Sequence, residues 1–241
     1  EHLESIRWPN GPVCPHCGGT ERNSRLNGAS HRAGLLFCGD CREQFTVTVG
    51  TVFERSKVAL HKWVYASHLM CASKKGISAK QLERMLGVTY KTAWFLTHRI
   101  RTAMTPASPE LLGGEDKIVE ADETYLLKAS GKRKAPGASG YAHKMKVISL
   151  TERGGAIRSK RMIDGTKAEI VQFIRDNVSP DSTLHTDGAQ AYKFTLAVAD
   201  HESVDHSKMY VRKGKKGDVH TNTLEGFFSV FKRGMVGTYQ H

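Results

Sequence analysis

The chain has 241 residues, enough for one large domain or two to three small ones with a sizeable core. Its 36 Lys and Arg outnumber 24 Asp and Glu, a formal charge of +12, which points to an anionic polymer as partner and away from a small neutral substrate. No run of about 18 apolar residues and no basic amphipathic anchor occurs, which argues against a membrane-spanning or interfacial role.

The opening EHLESIRWPNG has neither an initiator Met nor an apolar signal core. Export is therefore unsupported, a cytoplasmic location is expected, and the first residues of the natural protein are expected to be missing. Four of the five cysteines form two pairs, Cys14-x-x-Cys17 and Cys38-x-x-Cys41, twenty residues apart. Two-residue spacing lets both thiolates of one knuckle reach a tetrahedral ion, and two knuckles close the site, as structural zinc requires. Disulfides are disfavoured without a secretion signal, and a redox pair leaves the second CxxC unexplained. The alternation of Phe45, Val47 and Val49 predicts a strand leaving the second knuckle, so residues 1–50 are expected to form a zinc ribbon. His16 is read as solvated or DNA-facing, and Cys71, inside a helical pattern, as a small core residue.

Residues 51–108 turn helical. One segment covers His61 to Ser73; Ser78 caps a helix AKQLERML, Gly87 breaks it, and Thr89 caps a second, YKTAWFLTHRIR. Leu82, Leu86, Val88, Ala93 and Leu96 have the spacing of the inward residues of a helix-turn-helix. This leaves Thr89 to Thr92, His98, Arg99 and Arg101 to face a duplex, with Lys91, Arg99 and Arg101 as the charged DNA contacts. A helical hairpin used only for packing is the competing reading.

The Pro- and Gly-rich TPASPELLGG, residues 105–114, marks a domain boundary, and residues 109–241 form the last domain. Strands are expected at Ile118 to Glu123, Met145 to Leu150 and Ala156 to Ile163, a helix at Thr166 to Asn177, and a short strand at Ser182 to His185. Three strands, a helix, a strand and more helix make an α/β architecture with a mixed sheet. Two basic stretches, residues 128–144 and YVRKGKKGD, are expected to be mobile and phosphate-seeking, Lys213 and Lys215 among them.

In HTNTLEGFFSVFKRG, Leu224, Phe227, Phe228 and Phe231 form one apolar helical stripe, and Asn222, Glu225, Ser229 and Lys232 a polar stripe beside it. Asp122 and Asp187 at strand ends, with Glu225 on that helix, supply the hard oxygens that two divalent ions need. Singly, each acid is more often solvated, and an Asp before Gly, like Asp187, is most often a turn residue.

Through RWPNGPVCPHCG, SAKQLERMLGVTYKTAW, VEADETY, HTDGAQAY and HTNTLEGFFSVFKRG, nearly the whole chain resembles the DDE transposases of small prokaryotic insertion sequences, in the ISXO-type group with an N-terminal zinc ribbon. The resemblance implies a ribonuclease H-like core with flanking helices, binding to terminal inverted repeats and target DNA, and strand cleavage and transfer with Mg²⁺ or Mn²⁺. It also implies a homodimer or higher oligomer on DNA, a nucleoid-associated location, and a core cut short at its C-terminus. By motif, Asp122 and Asp187 match the first two acids, and Lys232, with Arg233 beside it, the basic residue that contacts DNA. The third ligand is Glu225, by its spacing to Lys232, or alternatively Asn222 of the HTN motif. The competing functions are an inactive DNA-binding regulator derived from a transposase, and a nuclease that cuts without joining. No GxxxxGK[ST] phosphate loop occurs, so no nucleotide cofactor is expected.

Overall fold

A computed structural model of the chain describes residues 2–106, 109–128, 141, 144–163, 165–188, 192 and 200–239. The basic stretch expected between 128 and 144 lies almost wholly outside the described residues. Residues 1–73 with 77–106 form one compact unit, and residues 74–76 with 107–241 a second. No described helix is long and apolar enough to cross a membrane.

The first unit opens with α1 (His2–Arg7), then β1 (Asn23–Arg25), β2 (Leu36–Cys38) and β3 (Gln44–Phe45) in a small antiparallel sheet. Its core is slight: Trp8, Cys14, Leu36, Cys38 and Phe45, with the Trp8 and Phe45 rings edge to face. The strand expected through Val49 stops at Phe45. The Arg7 guanidinium donates to the carbonyls of both Val47 and Val49 at 2.7 Å, so these groups bond a side chain and the backbone turns. The valines still pack on the small core, which is why the apolar alternation read as a strand.

Three helices come next: α2 (Leu60–Ala72), α3 (Ala79–Leu86) and α4 (Tyr90–Met104). Ser78 and Thr89 accept from the amides of Gln81 and Thr92, and Gly87 closes α3 in the left-handed region at φ 59°. These are the expected caps. Leu82, Leu86, Ala93 and Leu96 are buried around Trp63. Cys71, expected in the core, is exposed: α2 buries only Trp63 and Ala66.

In the second unit, β4 (Ile118–Lys128), β5 (Lys144–Glu152) and β6 (Ile157–Arg161) run antiparallel, and α5 (Lys167–Asn177) leads to β7 (Thr183–Thr186), parallel to β4. Beyond β7 lies β8 (Asp200–Ser203), giving the order β6-β5-β4-β7-β8, a ribonuclease H-like mixed sheet. α5 is fixed by a reciprocal cap: Thr166 accepts from the Glu169 amide while the Glu169 carboxylate accepts from Ile163 and Gly165. The helix buries Ile170, Phe173 and Ile174 against Val119, Ala121, Ile148, Leu150 and Leu184. Strand period two sends Glu120 and Asp122 to the opposite face of β4 from Val119 and Ala121.

β8 was not expected from the sequence: DHES has no apolar alternation and is exposed at its start. The segment read as mobile, YVRKGKKGD, instead contains an antiparallel hairpin of β9 (Arg212–Gly214) and β10 (Gly217–Val219). α6 (Asn222–Gly237) buries Leu224 and Phe228, while Phe227 and Phe231 are half-buried and stacked on each other with centroids 5.5 Å apart.

Candidate active site and zinc ribbon

The two knuckles are built alike. Gly18 donates its amide to the Cys14 carbonyl and Arg42 to the Cys38 carbonyl, each at 2.9 Å, and both residues take positive φ, 79° and 60°. Gly18 adopts that conformation freely; Arg42 does so against the preference of a side chain. The turns bring the sulfurs of Cys14, Cys17, Cys38 and Cys41 within 4.8 Å of one another. The Cys14–Cys41 and Cys17–Cys38 pairs stand at 3.6 Å, against about 3.8 Å between sulfurs each about 2.3 Å from a tetrahedral zinc. The donor set therefore fits structural Zn²⁺. The Cys41 amide, turned onto Cys38, pulls that thiol down, whereas Cys41, against the pull of the Glu43 amide, is pushed up by burial and the neighbouring sulfurs, a crowding of thiols that a bound cation would relieve. Cys38→Ser is expected to eliminate the one equivalent of zinc per chain and unfold the ribbon while the second unit keeps its own cooperative transition, as elemental analysis and calorimetry would measure.

The acids gather through the sheet register. Glu120 pairs with His185 between the parallel strands β4 and β7, and continuing that register sets Asp122 opposite Asp187, just past the end of β7. Gly188 then turns at φ 70°. Asp122 is half-buried, with its carboxylate accepting from the Glu123 amide at 2.7 Å. Burial above all, then the charges of Asp187, Glu123 and Glu225, lifts its pKa from 3.8 to about 7, against the lowering effect of that amide. The fully buried Tyr192 is raised well above its ordinary value by burial and by the charges of Glu123, Asp122 and Asp187. Asp122, Asp187 and Glu225 thus share one electrostatic neighbourhood. Among the described residues, however, only the four cysteines have ligand atoms gathered to within 4.8 Å. Carboxylates whose charges lift the pKa of Asp122 are a donor set that a divalent cation would relieve, so hard-oxygen ligation fits the site.

Asn222 is the first residue of α6 and exposed; Glu225 lies one turn on, with its side chain about half exposed. Glu225 Oε1 is 3.2 Å from Nδ1 of His206, whose Nε2 lies 3.3 Å from the Thr221 hydroxyl. Sequence reasoning missed His206, which sits in a polar stretch without periodicity. It also missed Glu120 and Arg153. Arg153 donates to Glu120, to the carbonyls of Asp218 and His220, and approaches His185 Nδ1 at 3.1 Å. Burial and then Arg153 push His185 down to about 4, leaving it the neutral ring that such a contact needs.

The basic residues fall into distinct settings. Lys91 is exposed on α4, as are Trp94 and His98, whose rings lie 4.1 Å apart. Arg99 is not open to a duplex in the way expected: its guanidinium donates to the Glu54 carbonyl at 3.2 Å and lies over the Trp63 and Phe95 rings, bracing the helices. Arg101 is half-buried. Lys213 pairs with Asp218 at 2.7 Å, Lys215 lies 4.0 Å from Asp200, Arg233 folds back onto Ser229, and Lys232 is exposed.

A mixed α/β core of ribonuclease H type with an acid neighbourhood, and a four-cysteine ribbon ahead of it, defines the class. Residues 111–241 match the ISXO2-like transposase domain family, and residues 1–44 the transposase zinc-ribbon domain family. An "uncharacterized protein in transposable element ISH50" of Halobacterium salinarum (strain ATCC 700922 / JCM 11081 / NRC-1) is 32% identical over 249 residues, spanning 96% of this chain and 80% of the relative. The chain belongs to the ISXO2-like transposase family, and its class is that of a DNA transposase with an N-terminal zinc ribbon. Solved structures similar to it include a simian T-cell lymphotropic virus intasome in complex with PP2A regulatory subunit B56 gamma, at 13% identity and TM-score 0.26, over 59% of this chain and 51% of that chain. A pre-cleavage Mos1 transpososome is 12% identical with TM-score 0.26, over 75% and 69% of the two chains. The Mos1 transposase paired-end complex with left transposon end is 14% identical with TM-score 0.25, over 64% and 61%. Likeness this distant leaves the family assignment resting on the domain matches and the ISH50 relative.

Proposed function

We propose that this transposase binds the ends of its element and cleaves and joins DNA strands at a centre formed by Asp122, Asp187 and Glu225. The observation that carries this is the raised pKa of Asp122, to which both other acids contribute from separate elements. Asp122 on β4, Asp187 past β7 and Glu225 on α6 would hold two Mg²⁺ or Mn²⁺ ions. When bound, such ions supply the Lewis-acid charge that activates the attacking oxygen and neutralises the leaving one in phosphodiester transfer. Half-buried Asp122 and Asp187 limit water around the reacting phosphate, and Lys232, two turns beyond Glu225, offers its ammonium to a flanking phosphate.

In this reading residues 1–50 are the ribbon, 51–108 the helix-turn-helix module and 109–241 the catalytic core. The protein acts in the cytoplasm on nucleoid DNA, as a dimer or larger assembly that pairs two ends. Incubating the full chain with Mg²⁺ and a labelled element end should yield joined product. Cleaved ends that are never joined would mark a nuclease, and binding without cleavage a regulator.

The settings of the basic residues support a division of labour on DNA. Lys91→Ala is expected to reduce discrimination between element ends and random DNA. Lys213→Ala with Lys215→Ala should weaken both alike and lower the slope of log K against log salt by up to about 2. Because Lys213 already has Asp218 as partner, its share should be the smaller. Arg99→Ala should instead lower the melting temperature, since it removes a brace between helices. Equal losses of specific and random binding in the Lys91 variant would overturn the assignment; fluorescence anisotropy across a salt series measures both.

A further inference from the structure

α6 and α2 both begin without a side-chain cap of their own, and in α6 the free amides are taken from another element. α3, α4 and α5 are capped by their own Ser78, Thr89 and Thr166, whereas the residue before α6, Thr221, makes no side-chain cap bond. The amides of its second and third residues are instead taken by Glu120 of β4. Glu120 Oε2 accepts from Thr223 N at 3.0 Å and Leu224 N at 3.2 Å, and Oε1 from the Thr223 hydroxyl at 2.9 Å. Oε1 also accepts from Arg153 Nε at 2.8 Å, and His220 Nδ1 stands 3.2 Å away. The carboxylate is fully buried. A negative group at the positive end of a helix, bonded to amides that would otherwise be orphaned, fixes the axis and azimuth of the first turn.

That turn carries Asn222 and, directly after it, Glu225. Glu120 sits two residues before Asp122 on the same face of the same strand. One carboxylate therefore joins the element bearing the first acid to the element bearing the third. Arg153 closes the arrangement by holding Glu120 and, through the carbonyls of Asp218 and His220, the chain that leads into α6.

We infer that Glu120 is a positioning residue: by clamping the first turn of α6 to β4 it sets the separation of Asp122 and Glu225, and so the affinity of the acid centre for divalent ions. The inference rests on the proposed role of those acids. Glu120 acts through them and itself ligates neither DNA nor ion. Replacing it with Gln keeps its volume but turns one acceptor oxygen into a donor facing Arg153 and helix amides.

The test is a Mn²⁺ titration of the zinc-loaded full chain, read by electron paramagnetic resonance, with DNA binding and thermal unfolding measured in parallel. Glu120→Gln is expected to weaken Mn²⁺ binding by about tenfold or more while DNA affinity stays within about twofold. Thr223→Val, at an exposed position, removes only the hydroxyl bond to Glu120 and should weaken Mn²⁺ binding by about two- to tenfold. A folded Glu120→Gln protein that binds Mn²⁺ like the wild type, with only its melting temperature lowered, overturns the inference and leaves Glu120 a structural buried acid. If Glu120→Gln does not fold, an unchanged Mn²⁺ affinity in Thr223→Val overturns it. Asp122→Asn separates the two levels. If that variant loses Mn²⁺ and the clamp variants do not, only the clamp fails; if it binds Mn²⁺ normally, the acid centre itself fails.

Discussion

Asp122→Asn is expected to lower strand cleavage by at least about a hundredfold, leave DNA binding within about twofold, and raise the melting temperature of the metal-free core at pH 8. The first two effects come from roles. Loss of a proposed direct ligand should exceed the 10- to 100-fold typical of groups that merely support ligands, and the Lys and Arg side chains proposed to grip DNA lie on other segments. The third comes from charge. Burial, reinforced by Asp187, Glu123 and Glu225, raises the Asp122 pKa from 3.8 to about 7, so the folded protein holds this proton more tightly than the unfolded chain. The stabilisation from that proton is complete below about pH 4 and is lost as pH rises through about 7. Asn carries no charge to lose, so the variant should gain on the wild type across that window, by a few degrees at about 2–4 °C per kcal/mol. Mg²⁺ should then stabilise the wild type and not the variant. Calorimetry at pH 5 and pH 8, with and without Mg²⁺, measures this. An Asn variant less stable than the wild type at pH 8 would mean that Asp122 supports the fold instead of being strained for chemistry.

The parts of this protein that were legible in its sequence are those whose cause is local. Ser78, Gly87, Thr89 and Thr166 act within a turn of where they stand, and each was read correctly as a cap or stop. The CxxC knuckles are equally local, and their pairing needed only a metal's preference for four thiolates. What escaped depends on partners distant in the chain. Glu120 caps a helix 103 residues away, and neither the strand pattern around it nor the start of α6 contains that fact. Arg99 looked like a DNA contact because it lies on a recognition-like helix, but the Glu54 carbonyl and the Trp63 ring that engage it come from segments outside that helix. β8 is a polar edge strand defined by pairing with β7, not by its composition. The three acids proposed as the centre were picked out by motif order, whereas the field of Asp187 and Glu225 on Asp122 and the His206 contact to Glu225 required the fold.

The choice of third ligand has the next largest expected effect. Glu225→Gln is expected to reduce cleavage by about a hundredfold or more, and Asn222→Ala by about tenfold or less. Both residues lie on the first turns of α6 at i and i+3, so both face the same way and position alone does not separate them. Charge does. Two dications, held beside Asp122 and Asp187 as proposed, would be better neutralised by a third carboxylate than by an amide carbonyl, and Glu225 already contributes to the field that lifts Asp122, as a neutral amide does not. His206 Nδ1 at 3.2 Å gives Glu225 a partner that steadies one oxygen and leaves the other to ligate. Gln keeps the shape and that contact while removing the charge, so a large loss in Glu225→Gln isolates the charge itself. Cleavage of a labelled element end at saturating Mn²⁺, with Mn²⁺ affinity measured on the same preparations, checks both variants. Should Glu225→Gln remain active while Asn222→Ala is dead, Asn222 is the third ligand and Glu225 only tunes the field around Asp122.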